Sequence, residues 1–139
     1  MKKAVIIYHS RTGTTKKYGE EIGDYLTRKG IDAQVTSTIV FRNDMLDGAD
    51  YIFFGCWTSG LMFILQKPEK NWVEFAERLP SKPDAKIALF TTYKILTGSM
   101  FRNMIKHLNG KYSTPTLELK SRNGLLSAHN KQSLDQFIA

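Results

Sequence analysis

Apolar residues fall into short unbroken runs separated by stretches of helical spacing. Ala4-Val5-Ile6-Ile7-Tyr8 is a continuous β-prone run, the pattern of a strand covered on both faces of a parallel sheet. From Thr15 onward Tyr18, Ile22, Tyr25 and Leu26 mark one face of a helix that ends near Gly30. Asp32 to Thr38, built around Val35, predicts a second and weaker strand, and Asp50 to Gly55 a third that runs into Cys56-Trp57-Thr58-Ser59-Gly60. Trp72, Phe75, Ala76 and Leu79 share a helical face closed by Pro80, and Ala85 to Thr91 predicts the fourth strand. Ser99 is placed to cap a helix facing inward through Met100, Met104, Ile105 and Leu108 and stopped by Asn109-Gly110. Ser113 to Leu119 alternates as an edge strand should, and Asn130 to Ile138 predicts a last helix through Leu134, Phe137 and Ile138.

Strands alternating with helices imply right-handed crossovers and a doubly wound five-stranded parallel sheet, an α/β fold with helices on both faces. Ligands of such folds sit beyond the carboxyl ends of the strands where strand order reverses, so the loops after the first, third and fourth strands are the candidate site. The 139 residues are expected to make one domain, 1–139, since no repeat, low-complexity stretch or linker interrupts them and Pro80-Ser81-Lys82-Pro83 reads as an internal loop. With 42% hydrophobic and 24% charged residues the composition is globular rather than disordered.

Twenty Lys and Arg against 13 Asp and Glu give a net charge of +7, and residues 94–139 hold seven of the bases and only two of the acids. A basic last third favours acidic partners, but with no nucleic-acid motif the expectation is no nucleic-acid binding. Cys56 is the sole cysteine, which excludes an internal disulfide framework and a multi-cysteine metal site and fits a reducing, cytoplasmic setting. The apolar run after Met1-Lys2-Lys3 is too short for a secretory signal or a membrane span. His9, His107 and His129 have no metal-ligand spacing, so no metal site is expected.

The first loop, His9-Ser10-Arg11-Thr12-Gly13-Thr14-Thr15, stands immediately before a helix. Hydroxyls, a permissive glycine and the N–H groups of a helix start are what a phosphate group requires. The same residues also suit a plain threonine-rich helix cap, although one cap needs one hydroxyl and this loop has four. Neither a Walker loop nor a three-glycine dinucleotide fingerprint is present.

Ile6 to Thr15 resembles the phosphate loop of the flavodoxin family, in which a Ser/Thr-x-Thr-Gly-x-Thr pattern wraps the phosphate of FMN. The resemblance implies strand order 2-1-3-4-5, FMN as cofactor, and Ser10, Arg11, Thr12, Gly13, Thr14 and Thr15 as its phosphate ligands, with Lys16 and Lys17 solvated. It also implies that Trp57 and Tyr93 sandwich the isoalloxazine ring. Thr58, Ser59, Gly60, Thr92 and Gly98 would then lie at the ring's polar edge, Gly60 letting the Ser59 carbonyl turn toward the flavin N5. For either aromatic, packing against a neighbouring loop is the alternative.

Three features depart from the family. Gly19 replaces the usual alanine of the first helix and is expected to soften its packing. Leu61 to Leu65 is apolar where an acidic loop is common, and reads either as a buried flap or as a docking patch. The net charge is positive, so a partner that docks on acidic flavodoxins would be repelled. The expectation is an electron carrier between a reductase and an acceptor, with no catalytic side chain. The alternatives are an FMN-dependent quinone or porphyrinogen oxidoreductase and a flavin-free interaction module of the same fold.

Overall fold

Strand β1 (Lys3–His9) lies inside the sheet, and its alternating side chains contribute to both halves of the core. The computed structural model describes residues 1–9, 13–59, 67–68, 70–93, 100–108 and 110–139. Helix α1 (Thr14–Arg28) follows, then β2 (Asp32–Ser37), a 3-10 turn at Asn43–Leu46, β3 (Tyr51–Ser59), α2 (Lys70–Glu77) and β4 (Lys86–Thr92). Helix α3 (Met100–Leu108), β5 (Leu117–Ser121) and α4 (Ala128–Ile138) complete the order.

Five strands pair in parallel in the order β2-β1-β3-β4-β5. The chain thus steps outward from β1 to β2, then reverses across β1 to β3, and the switch point lies between β1 and β3. Lys67–Pro68 adds two residues antiparallel to the end of β3, opposite Thr58 and Ser59.

Because successive side chains of a strand face opposite ways, the unbroken apolar runs feed two cores at once. Val5, Ile7, Ile52, Phe54, Ile87 and Leu89 pack under α2 and α3 with Phe75, Ala76, Leu79, Met104 and Leu108. Ala4, Ile6, Phe53, Ala88 and Phe90 pack on the other face against Tyr18, Ile22 and Leu26 of α1 and Leu134 and Phe137 of α4. The edge strands differ as their sequences do. In β5, Leu117, Leu119 and Ser121 are buried while Glu118 and Lys120 face solvent, and β2 is mostly half-exposed.

Boundaries depart from the sequence reading in three places. Strand β3 runs on to Ser59, because Cys56 and Trp57 continue the ladder to Thr91 and Thr92 of β4, so Trp57, Thr58 and Ser59 are strand backbone rather than loop. Strand β5 begins at Leu117, not Ser113. Helix α4 begins two residues early, at Ala128, because Ser127 and Asn130 form a reciprocal cap: Asn130 N–H donates to Ser127 Oγ and Ser127 N–H to Asn130 Oδ1.

Candidate functional site

The α-helices among the described residues run back against parallel strands, so their N-termini share the end of the sheet where the strands finish. Helix α1 starts there beside the β1/β3 switch point. Its N-cap is Gly13, in the left-handed region at φ 91°, and a side chain placed at that position would meet nothing within 4 Å. A glycine cap satisfies no first-turn N–H with its own side chain, and no acidic residue stands in that turn. The helix start therefore brings backbone donors and a positive dipole end to the switch point, the chemistry of an anion site.

Three strand ends are tied together at this point. His9 of β1 pairs with Cys56 of β3, and Trp57 pairs with Thr92 of β4. The Thr15 hydroxyl of α1 lies 2.6 Å from the Thr92 hydroxyl, both residues buried, so the first helical turn is fastened to the end of β4. Either hydroxyl can be the donor of this bond. Thr91 donates to the Cys56 carbonyl, closing the β3/β4 ladder from the side chain as well.

Tyr93 follows β4 and donates its N–H to the Ser121 carbonyl at the end of β5. Arg122 lies over the Tyr93 ring at 5.4 Å. The turn after β5 then folds back on α1, where a Cβ at Gly124 would come within 2.9 Å of the Thr14 carbonyl and 3.2 Å of the Lys17 side chain. An open groove of about 440 Å3 runs along this turn, lined by Tyr93, Lys120, Arg122, Asn123, Leu125 and Asn130 among others. Sequence reasoning passed over this turn. Its signal was Arg-Asn-Gly directly after an alternating strand, a turn at the same end of the sheet as the other candidate loops.

Of the residues expected from sequence, the structure brings Gly13, Thr14, Thr15, Thr92 and Tyr93 together and aligns the backbone of Trp57, Thr58 and Ser59 with them. Ser10, Arg11, Thr12, Gly60 and Gly98 lie outside the described residues, as do Leu61 to Leu65. Cys56 is fully buried in the core under α2 and α3. His9 is half-buried, its Nδ1 2.9 Å from the Thr38 hydroxyl, and His129 is exposed in the first turn of α4. Among the described residues no cluster of His, Cys, Asp or Glu is arranged to hold a metal, and no helix is long and apolar enough to cross a membrane.

The fold and this end of the sheet define a doubly wound α/β protein with an anion-accepting helix start at its switch point. The flavodoxin family model matches residues 6–123, and the chain belongs to that family. Solved structures agree. The two-electron reduced flavodoxin of Megasphaera elsdenii is 22% identical with a TM-score of 0.74, the match covering 96% of each chain. Flavodoxin 1 of Bacillus cereus, 17% identical at a TM-score of 0.70, is covered over 93% of its length by 97% of this one. The rubredoxin:oxygen oxidoreductase of Desulfovibrio gigas is 14% identical at a TM-score of 0.71. There 97% of this chain spans 34% of that one, about a third of the larger protein. No curated protein sequence matches the chain. The family is one of FMN-binding electron-transfer proteins, and FMN is the cofactor.

The residues present fit that group. A phosphate needs N–H and hydroxyl donors and no opposing negative charge. Gly13, the first turn of α1 and the Thr15–Thr92 pair provide that set without an acidic side chain to oppose the charge.

Proposed function

We propose that this protein carries electrons in the cytoplasm from a reductase to an acceptor, residues 1–139 acting as one domain. The observation that carries the reading is the start of α1: a left-handed glycine N-cap and a first turn without acidic side chains, at the switch point of the sheet, fastened by Thr15 to the end of β4. FMN, when bound, supplies the redox chemistry.

The chain's own residues bind, orient and shield. Ser10, Thr12, Thr14 and Thr15 offer hydroxyls to the phosphate, Gly13 lets the backbone approach it, and Arg11 adds charge. Trp57 and Tyr93 cover the ring faces, with Arg122 behind Tyr93 fixing that ring's orientation. Backbone groups of Thr58, Ser59, Gly60, Thr92 and Gly98 meet the polar edge. No side chain is required as acid, base or nucleophile. The single cysteine is buried, which suits a reducing compartment.

Titration with FMN, read by flavin absorbance and tryptophan fluorescence, tests this. Saturable quenching is expected in the parent protein and in Trp72→Phe, and its loss in Trp57→Phe. Thr15→Val should weaken FMN by roughly tenfold, the equivalent of about 1.4 kcal/mol, while leaving riboflavin, which lacks the phosphate, nearly unaffected. Equal weakening of both ligands would make Thr15 a structural residue only. Steady turnover of a nicotinamide donor with a quinone by the isolated protein would select the oxidoreductase reading, and failure to take up FMN the flavin-free module.

A further inference from the structure

Helix starts ordinarily gather acidic residues, because the dipole leaves a partial positive charge there. Among the described residues none of the α-helices has one in its first turn. Helix α1 instead has Lys16 and Lys17 in that turn, both exposed, a placement that works against helix stability. Lys120 and Arg122, also exposed, stand at the end of β5, and the Lys17 side chain lies along the Gly124 turn that carries Arg122. Among the described residues none of the ion pairs involves these four cations, and the nearest acids of α1, Glu20 and Glu21, stand one turn further along it. The opposite end of the sheet is mixed and internally paired: Lys29 with Asp135, Lys82 with Asp84, and the Lys3 N–H with Asp50.

In the groove beside Lys120 and Arg122, Leu125 is 45% exposed, and Tyr93 with its overlying Arg122 forms the neighbouring wall. An apolar side chain flanked by cations is how an interface for an acidic partner is built. A nucleic acid needs cations that track a backbone, and these gather instead at one helix turn and one strand end. We infer that Lys16, Lys17, Lys120 and Arg122 together with Leu125 form the docking surface for a redox partner protein with an acidic face. The inference rests on the FMN reading for the purpose of docking, but not for the existence of the surface. Partner charge is thereby opposite to that suited to an acidic carrier, and encounter is steered to the end of the sheet where Tyr93 stands.

Two variants with equal charge removal test it. The rim variant is Lys16→Gln, Lys17→Gln, Lys120→Gln and Arg122→Gln; the control is Lys2→Gln, Arg28→Gln, Arg78→Gln and Lys106→Gln. A fluorescent oligoglutamate peptide, followed by anisotropy at low salt, should bind the parent protein with or without FMN. It should bind the rim variant about tenfold more weakly and the control within about twofold, all binding fading as salt is added. After FMN uptake is verified by absorbance, the reduced proteins are mixed with ferricyanide or hexaamminecobalt(III) in stopped flow. The ratio of the two oxidation rates should fall in the rim variant and hold in the control. Without FMN uptake the carrier reading fails, while the peptide arm still decides the surface. Equal loss of peptide binding in both variants would overturn the proposal in favour of net charge alone. Duplex DNA outcompeting the peptide at matched charge would overturn it in favour of a nucleic acid.

Discussion

Single residues set the spacing of the upper half of this molecule, and Gly55 is the tightest case. A Cβ there would fall 2.1 Å from the Phe90 ring, which is fully buried and meets Tyr18 edge-on at 5.9 Å. The ring occupies the volume a side chain on β3 would need. Gly55→Ala should therefore destabilise the protein by about 1–3 kcal/mol, and Gly55→Ala with Phe90→Leu should lose less than the sum of the two changes. Urea unfolding of the four proteins of this cycle measures it, and strict additivity would contradict the contact. The sequence showed Gly55 only as the end of an apolar run; its partner lies across the ladder, 35 positions away in the chain, and no local pattern reveals it.

At the level of elements, helix α1 has both an accurate expectation and an instructive one. Its apolar face, Tyr18, Ile22 and Leu26, is buried as spaced, whereas Tyr25 sits half-exposed at the margin, where its hydroxyl donates to Asp135 of α4. Gly19 stands on the buried face of α1. It faces Ile6 and Phe90, and a Cβ would stand at ordinary contact distance, 3.5 and 3.6 Å. Nothing in the tertiary packing requires glycine there. Gly19→Ala should stabilise the protein by roughly 0.5–1 kcal/mol, through higher helix propensity and a methyl group packed against Ile6 and Phe90, read as a higher urea midpoint with unchanged slope. Helix α4 shows the opposite kind of lesson, since its start was set by the Ser127–Asn130 cap rather than by apolar spacing. The side chain of Asn130 also accepts from the Tyr18 hydroxyl, so one residue caps α4 and joins it to α1.

Across the whole molecule, two buried phenols link stability to alkaline pH. Burial, the leading cause for each, raises the pKa of Tyr18 and Tyr112 well above the ordinary 10.0. With the folded value above the unfolded one, the native state keeps protons that the unfolded chain releases. Stability is then complete below the ordinary phenol pKa and falls as pH rises past it, by up to ~1.4 kcal/mol per pH unit for each group. Urea midpoints should drop steeply once the pH exceeds about 10, and part of the tyrosinate absorbance should appear only with unfolding. Smooth titration of all six tyrosines in the folded protein would contradict this. The acid side is gentler. The Tyr25 hydroxyl, followed by Lys29, holds exposed Asp135 below its ordinary value, so that contribution is present above the usual carboxylate pKa and fades as pH falls through the lowered one.

By itself the sequence determined the alternation of strands and helices, the doubly wound sheet and the hydroxyl-rich start of α1, because these follow from local periodicity, turn chemistry and the residues at one short loop. Only the tertiary structure decided that β3 continues to Ser59, that Thr15 and Thr92 share a hydrogen bond, and that the turn after β5 brings Arg122 over Tyr93. It also gathered Lys16, Lys17, Lys120 and Arg122 at one end. Those relations join residues from about 30 to more than 100 positions apart, and their energies depend on ladder register and packing across the sheet, which no local run of amino acids specifies.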